Sequence, residues 1–173
     1  WLIVQGETVI PKIFFDLEFS DLKSTAMLVS AGFVDEQNNS LYVEVEPEHW
    51  QTHASQFVFA MVTPLLRGDG LPANLVTAKI GGWLNSRGPE LLLVSDSNWD
   101  MRILRRHFKQ TGYSWPFHWQ WDNVQAQLNG SQRRAFNSGY IEWFLRSERP
   151  QHQALNDAQA LRDAYFASMS AQE

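Results

Sequence analysis

Between Lys12 and Phe19 the chain reads KIFFDLEF, and Ile13, Phe15, Leu17 and Phe19 alternate with Phe14, Asp16 and Glu18. Strand side chains change face at every residue, so this period of two predicts a strand that carries both acids on one face. The following TAMLVSAGFVDEQNNSLYVEVE holds two β-rich segments around DEQNN, whose residues suit a turn, and predicts a three-strand meander. From His49 to Leu66, apolar Trp50, Ala54, Phe57, Val58, Met61 and Leu65 recur mostly at threes and fours, predicting an amphipathic helix that frays near Pro64. RGDGLP reads as a loop. A second helix follows from Pro72 to Ser86, with proline in an allowed first-turn position and Gly88 just past the end. ELLLVSD is a continuous apolar run of the kind found in a strand covered on both faces. The remainder is mostly helical: NWDMRILRRHF, Val124 to Leu128, Arg133 to Arg146, and NDAQALRDAYFASM. Strands first, helices later and one strand returning between helices predict a mixed sheet in an α/β layer architecture.

Composition narrows the setting. A length of 173 residues with 44% hydrophobic side chains suits one domain, expected over 12–173. The absence of cysteine excludes disulfide frameworks, thiolate zinc sites and cysteine nucleophiles, and suits a cytoplasmic location. No apolar run is long enough to span a bilayer, so no membrane partner is expected. The opening WLIVQGETVIP lacks the basic-then-apolar order of a signal peptide, and residues 1–11 are read as an amino-terminal extension of unknown role. A net charge of -5 argues against a protein that coats nucleic acid non-specifically. It leaves room for one that holds a few nucleotides at a metal site, where the ions supply the positive charge.

The candidate chemistry lies in carboxylates. Asp16 and Glu18 sit in an otherwise buried-looking strand, where neighbouring like charges are unfavourable without a compensating cation. Asp100 stands at the start of a helix just beyond the apolar strand, where α/β sheets commonly build sites. Asp157 lies near the start of the last helix, and His152 on the approach to it, after Pro150. Each feature alone has a plainer reading. The acids of the first strand would suit a solvated strand face, Asp100 and Asp157 would suit helix first turns, and His152 an ordinary loop. The spacing of His49 and His53 is compatible with zinc, but HWQTH lacks the glutamate of the metalloprotease motif, so a solvated helix start is expected. The aromatics of WPFHWQW, Trp115 to Trp121, suit stacking on bases or a partner-chain contact, but core packing is the commonest fate of large aromatics, and no site role is assigned to them. Arg102, Arg105, Arg106, Arg133, Arg134 and Arg146 suit either phosphate contacts or solvated helix faces.

Taken in order, FFDLEF, SDSNWDMRIL and HQALNDAQAL resemble the three motifs of the DEDDh 3′–5′ exonucleases of the ribonuclease H-like superfamily, and they span nearly the whole chain. The resemblance implies a ribonuclease H-like α/β fold with a mixed, mostly five-stranded sheet flanked by helices. It makes Asp16, Glu18, Asp100 and Asp157 the metal-binding acids and His152 the general base. In the tyrosine branch of the superfamily the base stands four residues before the last aspartate, where this chain has Gln153. In length and in its FFDLEF opening the chain looks most like the short stand-alone members typified by a mycobacterial exoribonuclease. That subgroup implies single-stranded RNA as substrate, attacked from its 3′ end with release of nucleoside 5′-monophosphates, and a homodimer. A DNA exonuclease is the alternative among enzymes, and a non-catalytic nucleic-acid-binding protein the alternative outside them. The implied cofactors are two divalent cations, Mg²⁺ or Mn²⁺: hard ions that take oxygen ligands and stabilise both the attacking and the leaving oxygen. Histidine, with an ordinary pKa near 6.5, can accept a proton near neutrality.

Overall fold

In the computed structural model, which describes residues 10–171, β1 (Lys12–Phe19) is the middle strand of a five-stranded mixed sheet. The chain continues through β2 (Leu28–Asp35), β3 (Ser40–Glu44), α1 (Pro47–Trp50), α2 (Ala73–Asn85) and β4 (Leu91–Ser95). Then come α3 (Asn98–Gln110), β5 (Trp119–Asn123), α4 (Val124–Gln127), α5 (Gly130–Ser147) and α6 (Ala154–Ser170). Across the sheet the order is β3-β2-β1-β4-β5, with β1 to β3 antiparallel and β4 and β5 added in parallel. The extension expected over 1–11 lies outside the described residues except at positions 10 and 11, where the Pro11 carbonyl accepts from the Leu92 amide.

β1 is covered on both faces. Ile13, Phe15 and Leu17 enter a large apolar core with Phe33 of β2, Ile80 of α2 and Leu104 of α3. Phe14 enters a second core on the opposite face with Val34, Val94, Phe136 of α5 and Leu161 of α6. Asp16 and Glu18 share the face of Phe14, so the alternation delivers both acids beneath α6. The expected turn at DEQNN is held by Asp35, whose carboxylate accepts from the Gln37 and Asn39 amides while Asn38 takes the left-handed conformation.

Gly32 decides how close α6 comes. It pairs opposite Asp16 in the β1–β2 ladder, and a Cβ there would collide with the backbone of Ala154 and Leu155. A strand glycine often marks such a backbone approach. Further along, the Arg162 guanidinium donates to the carbonyls of Asp35 and Glu36, which ties the middle of α6 to the β2–β3 turn.

Three sequence expectations are revised. The helix expected over His49 to Leu66 is broken into α1, a 3-10 turn at Gln51–His53, extended Ala54, a π-turn at Val58–Val62 and a 3-10 turn at Thr63–Leu65. Tertiary hydrogen bonds hold the pieces in place of a continuous helical ladder: the Trp50 indole donates to the Val45 carbonyl, and the Ser55 amide donates to Ser20 at the end of β1. Val58 and Val62 are buried, while Phe57 and Met61, which fit the helical period equally well, are exposed. The second revision is β5, an edge strand where only aromatic packing was expected; Trp119 is buried and Gln120 is exposed, in strand alternation. His49 also departs from the solvated helix start expected for it. It is half-buried, its ring edge-on to buried His107 with centroids 6.2 Å apart, while His53 is exposed as expected.

Candidate active site

Three elements end at one place. β1 supplies Asp16 and Glu18, the strand-to-helix turn after β4 supplies Asp100, and the loop into α6 supplies His152 and Asp157. All five line a single cavity of about 480 Å³ whose other wall is apolar, formed by Phe19, Leu22, Phe57, Val58 and Val62. The structure therefore brings together every site residue expected from the sequence.

Local chemistry fixes each side chain. Ser97 caps α3 by accepting from the Trp99 amide, which starts the helix so that Asp100 falls in its first turn, 2% exposed. Gln153 caps α6 in the same way through the Asn156 amide. The Asp157 carboxylate is held on both oxygens: Oδ2 accepts from the Gln153 amide at 3.0 Å and Oδ1 from the Tyr140 hydroxyl at 3.0 Å. His152 adopts a left-handed backbone at φ 63°, a conformation that costs a non-glycine residue about 1–2 kcal/mol. Its ring stands edge-on to Phe57 with centroids 5.2 Å apart, which leaves it facing the cavity beside the acids.

The acids form two overlapping groups. Carboxylate oxygens of Asp16, Glu18 and Asp157 lie within 4.8 Å of one another, as do those of Asp16, Asp96 and Asp100. Asp16 belongs to both. Burial, reinforced by Asp100, Asp157, Glu18 and Asp96, pushes the Asp16 carboxyl well above the usual carboxylate range. Glu18 is pushed up to about 8 by burial and by Asp157. Asp100 is raised by burial and by the charges of Asp96 and Glu18. Asp157 rises only to about 6, because its hydrogen bond from Tyr140 and the nearby His152 oppose the effect of burial.

Several carboxylates in one cavity call for positive charge. Among the described residues, no lysine or arginine is ion-paired to any of them. The first turns of α3 and α6 favour Asp100 and Asp157, but a helix terminus contributes only about 0.3–1 kcal/mol. Several kcal/mol is the usual penalty for burying one ion. The Asp100 Oδ2 is buried without any hydrogen-bond partner, an orphaned acceptor aimed into an all-oxygen donor set. The two carboxylate groups fit hard divalent cations, which take oxygen ligands, and neither group includes a nitrogen or sulfur donor of the kind zinc favours.

The solved structures that resemble this one include exonuclease I, at TM-score 0.65 and 12% identity, covering 94% of this chain and 41% of that one. Apo exonuclease I aligns at TM-score 0.61 and 13% identity, over 94% and 42% of the two chains. Escherichia coli exonuclease I in complex with a 5cy-dA13 oligonucleotide aligns at 0.51 and 14%, over 92% and 39%. The fold matches that of exonuclease I. This chain spans about two fifths of the length of those proteins. No protein-family model matches the sequence, and no curated protein matches it either. The kinship with short stand-alone exoribonucleases thus rests on the three motifs alone.

Residues to which the motifs assign no role also stand close to the acids, Asp96 beside Asp16 and Asp100, and Tyr140 and Phe57 in the cavity lining. Asp96 lies four residues before Asp100, at the end of an apolar strand; its proximity to Asp16 depends on how β4 pairs with β1, which the sequence does not display. Tyr140 belongs to α5 and meets Asp157 only through the packing of α5 on α6. Phe57 carries no local signal for its contact with His152. Conversely, none of the six candidate arginines lines the cavity. Arg102 lies over the Trp99 ring, Arg106 donates to the Ala26 carbonyl and Arg146 pairs with Asp163.

Proposed function

We propose that residues 12–173 form a metal-dependent 3′–5′ exonuclease that removes nucleotides from single-stranded nucleic acid as nucleoside 5′-monophosphates. The observation that carries this reading is the convergence of Asp16, Glu18, Asp100, Asp157 and His152 on one cavity with an apolar opposite wall. The four acids would hold two divalent cations, Mg²⁺ or Mn²⁺, which would offset the negative charge gathered at the phosphate during hydrolysis.

His152 takes a proton from the water that attacks the terminal phosphorus. The new P–O bond forms as the bond to the 3′ oxygen of the preceding nucleotide breaks; that oxygen takes up a proton from solvent and departs as a hydroxyl, and the imidazolium returns its proton to water. Tyr140 and the Gln153 amide hold the Asp157 carboxylate in place, since both of its oxygens accept a fixed hydrogen bond. The apolar wall of Phe19, Leu22 and Phe57 receives the terminal base, because every base presents a π face to an aromatic ring whatever its sequence.

The sugar has two lines of support. The motifs resemble those of exoribonucleases, while the oligonucleotide complex among the structural neighbours is with dA13. One assay separates them: 5′-labelled RNA and DNA of the same sequence, incubated with Mn²⁺, Mg²⁺ or EDTA, beside an Asp100→Asn variant. The expected result is a ladder shortening from the 3′ end only with metal and absent in the variant, faster on one sugar. Intact substrate under every metal condition, with the protein shown to be folded, transfers the reading to a nucleic-acid-binding protein built on this fold.

A further inference from the structure

The β4 strand is parallel to β1, and the last pair of their ladder is Phe14 with Val94. Two residues further along both strands, Asp96 comes beside Asp16. The turn that follows is locked from behind: the Ser95 hydroxyl donates to the Ser97 carbonyl at 3.0 Å and accepts from the Trp121 indole at 3.1 Å. With Ser97 capping α3, this turn holds Asp96 and Asp100 on the same side, and their carboxylate oxygens lie within 4.8 Å of each other and of Asp16.

No cationic side chain among the described residues is ion-paired with that trio. Asp100 Oδ2, in a residue 2% exposed, has no hydrogen-bond partner. An unpaired buried oxygen beside two further carboxylates is the environment of a cation ligand.

We propose that Asp96 is a fifth carboxylate ligand, which joins Asp16 and Asp100 around one divalent cation while Asp16, Glu18 and Asp157 surround the other. This rests on the metal-dependent reading above and extends it beyond the four acids of the motifs. With three carboxylates around it, the cation at Asp16, Asp96 and Asp100 binds before nucleic acid arrives. The Trp121 indole, through its hydrogen bond to Ser95, helps position the turn that carries Asp96 and Asp100.

The test is calorimetric titration of Mn²⁺ into the intact chain, its Asp96→Asn variant and an Asp163→Asn control, whose surface acid pairs with Arg146 and Arg162. Loss of a residue one step removed from a metal already costs roughly tenfold in affinity, so loss of a ligand weakens binding by at least that much. The control is expected to titrate like the wild type. Unfolding temperatures in EDTA show that the variant folds; it melts at or above the wild type, because a repulsive charge has gone. An Asp96→Asn isotherm that overlays the wild type overturns the proposal. If that overlay occurs while Asp157→Asn loses Mn²⁺, the four-acid reading stands and only the fifth ligand falls. Absence of Mn²⁺ binding by the wild type overturns both.

Discussion

β1 feeds two regions of opposite character. On one face Ile13, Phe15 and Leu17 join side chains from α2, α3 and β2 in an apolar core, where Phe15 stacks on Phe33 with ring centroids 5.6 Å apart. On the other, Phe14 begins a second core, but the next two positions are Asp16 and Glu18, and the apolar burial stops. The first face gains stability from every residue. The second gives up what two more apolar side chains would contribute, about 1.5–3 kcal/mol each, and takes on like charges as well. A strand that does both must be anchored by its first face in order to hold an unfavourable arrangement on the second. Preorganised charge of this kind is where an enzyme gains its electrostatic advantage.

Substitutions on each face can break or sharpen that contrast. The largest effect is expected from Gly32→Ala. Its Cβ meets backbone at the start of α6, so α6 shifts, Asp157 leaves the other acids and activity falls to background. Overpacking costs about 1–3 kcal/mol, and near the top of that range the unfolding temperature drops by roughly 6–12 °C. Full activity and Mn²⁺ binding in this variant would show that α6 does not need its close approach. Next is His152→Ala, which is expected to lower the hydrolytic rate by roughly 10²–10⁴ while the Mn²⁺ isotherm stays the same. Unchanged activity would remove the histidine from its assigned role.

On the opposite face, Phe15→Ala is expected to cost about 3–5 kcal/mol of stability, read from denaturant unfolding. The protein that remains folded should bind Mn²⁺ as before. A large loss of Mn²⁺ affinity would mean that the two faces are not separable.

The smallest effect is a pH slope, measured on metal-free protein in EDTA. Glu18 titrates near 4.5 when free and is pushed up to about 8 in the fold. Below both values each state is protonated and the stability is complete. Between them the folded state keeps a proton that the unfolded chain has released, so stability falls as pH rises, by up to about 1.4 kcal/mol per unit for this group. Glu18→Gln should flatten the slope. His107, in the apolar core, bends the curve the other way. Burial, with His49 nearby, lowers it from 6.5 to about 4, so its contribution is present above 6.5 and lost as pH falls toward 4. A metal-free stability that rises steadily from pH 5 to pH 8 would contradict the account of the acid face.

The parts legible in the sequence are those whose signal is local. KIFFDLEF declared its strand and the shared face of its two acids because alternation follows directly from strand geometry. The β2–β3 turn, α2, α3 and α6 were legible from turn residues, caps and apolar spacing, and motif order picked out five residues that the fold brings to one cavity. The segment from His49 to Leu66 was misread because its spacing suits a helix, while Trp50 and Ser55 are held by bonds to Val45 and Ser20, which no helical period encodes. β5 was missed because Trp119 and Trp121 look the same in an edge strand as in a packed loop.

By itself, the sequence determined which acids would be available and on which side of β1 two of them would stand. Only the tertiary structure decided that Asp96 would stand beside Asp16 and that Tyr140 would hold Asp157. It likewise set Phe57 against His152. The reason is physical: strand register and helix-on-sheet approach are set by long-range packing, here by the parallel β1–β4 pairing and the missing side chain of Gly32, and such contacts leave no periodic trace along the chain.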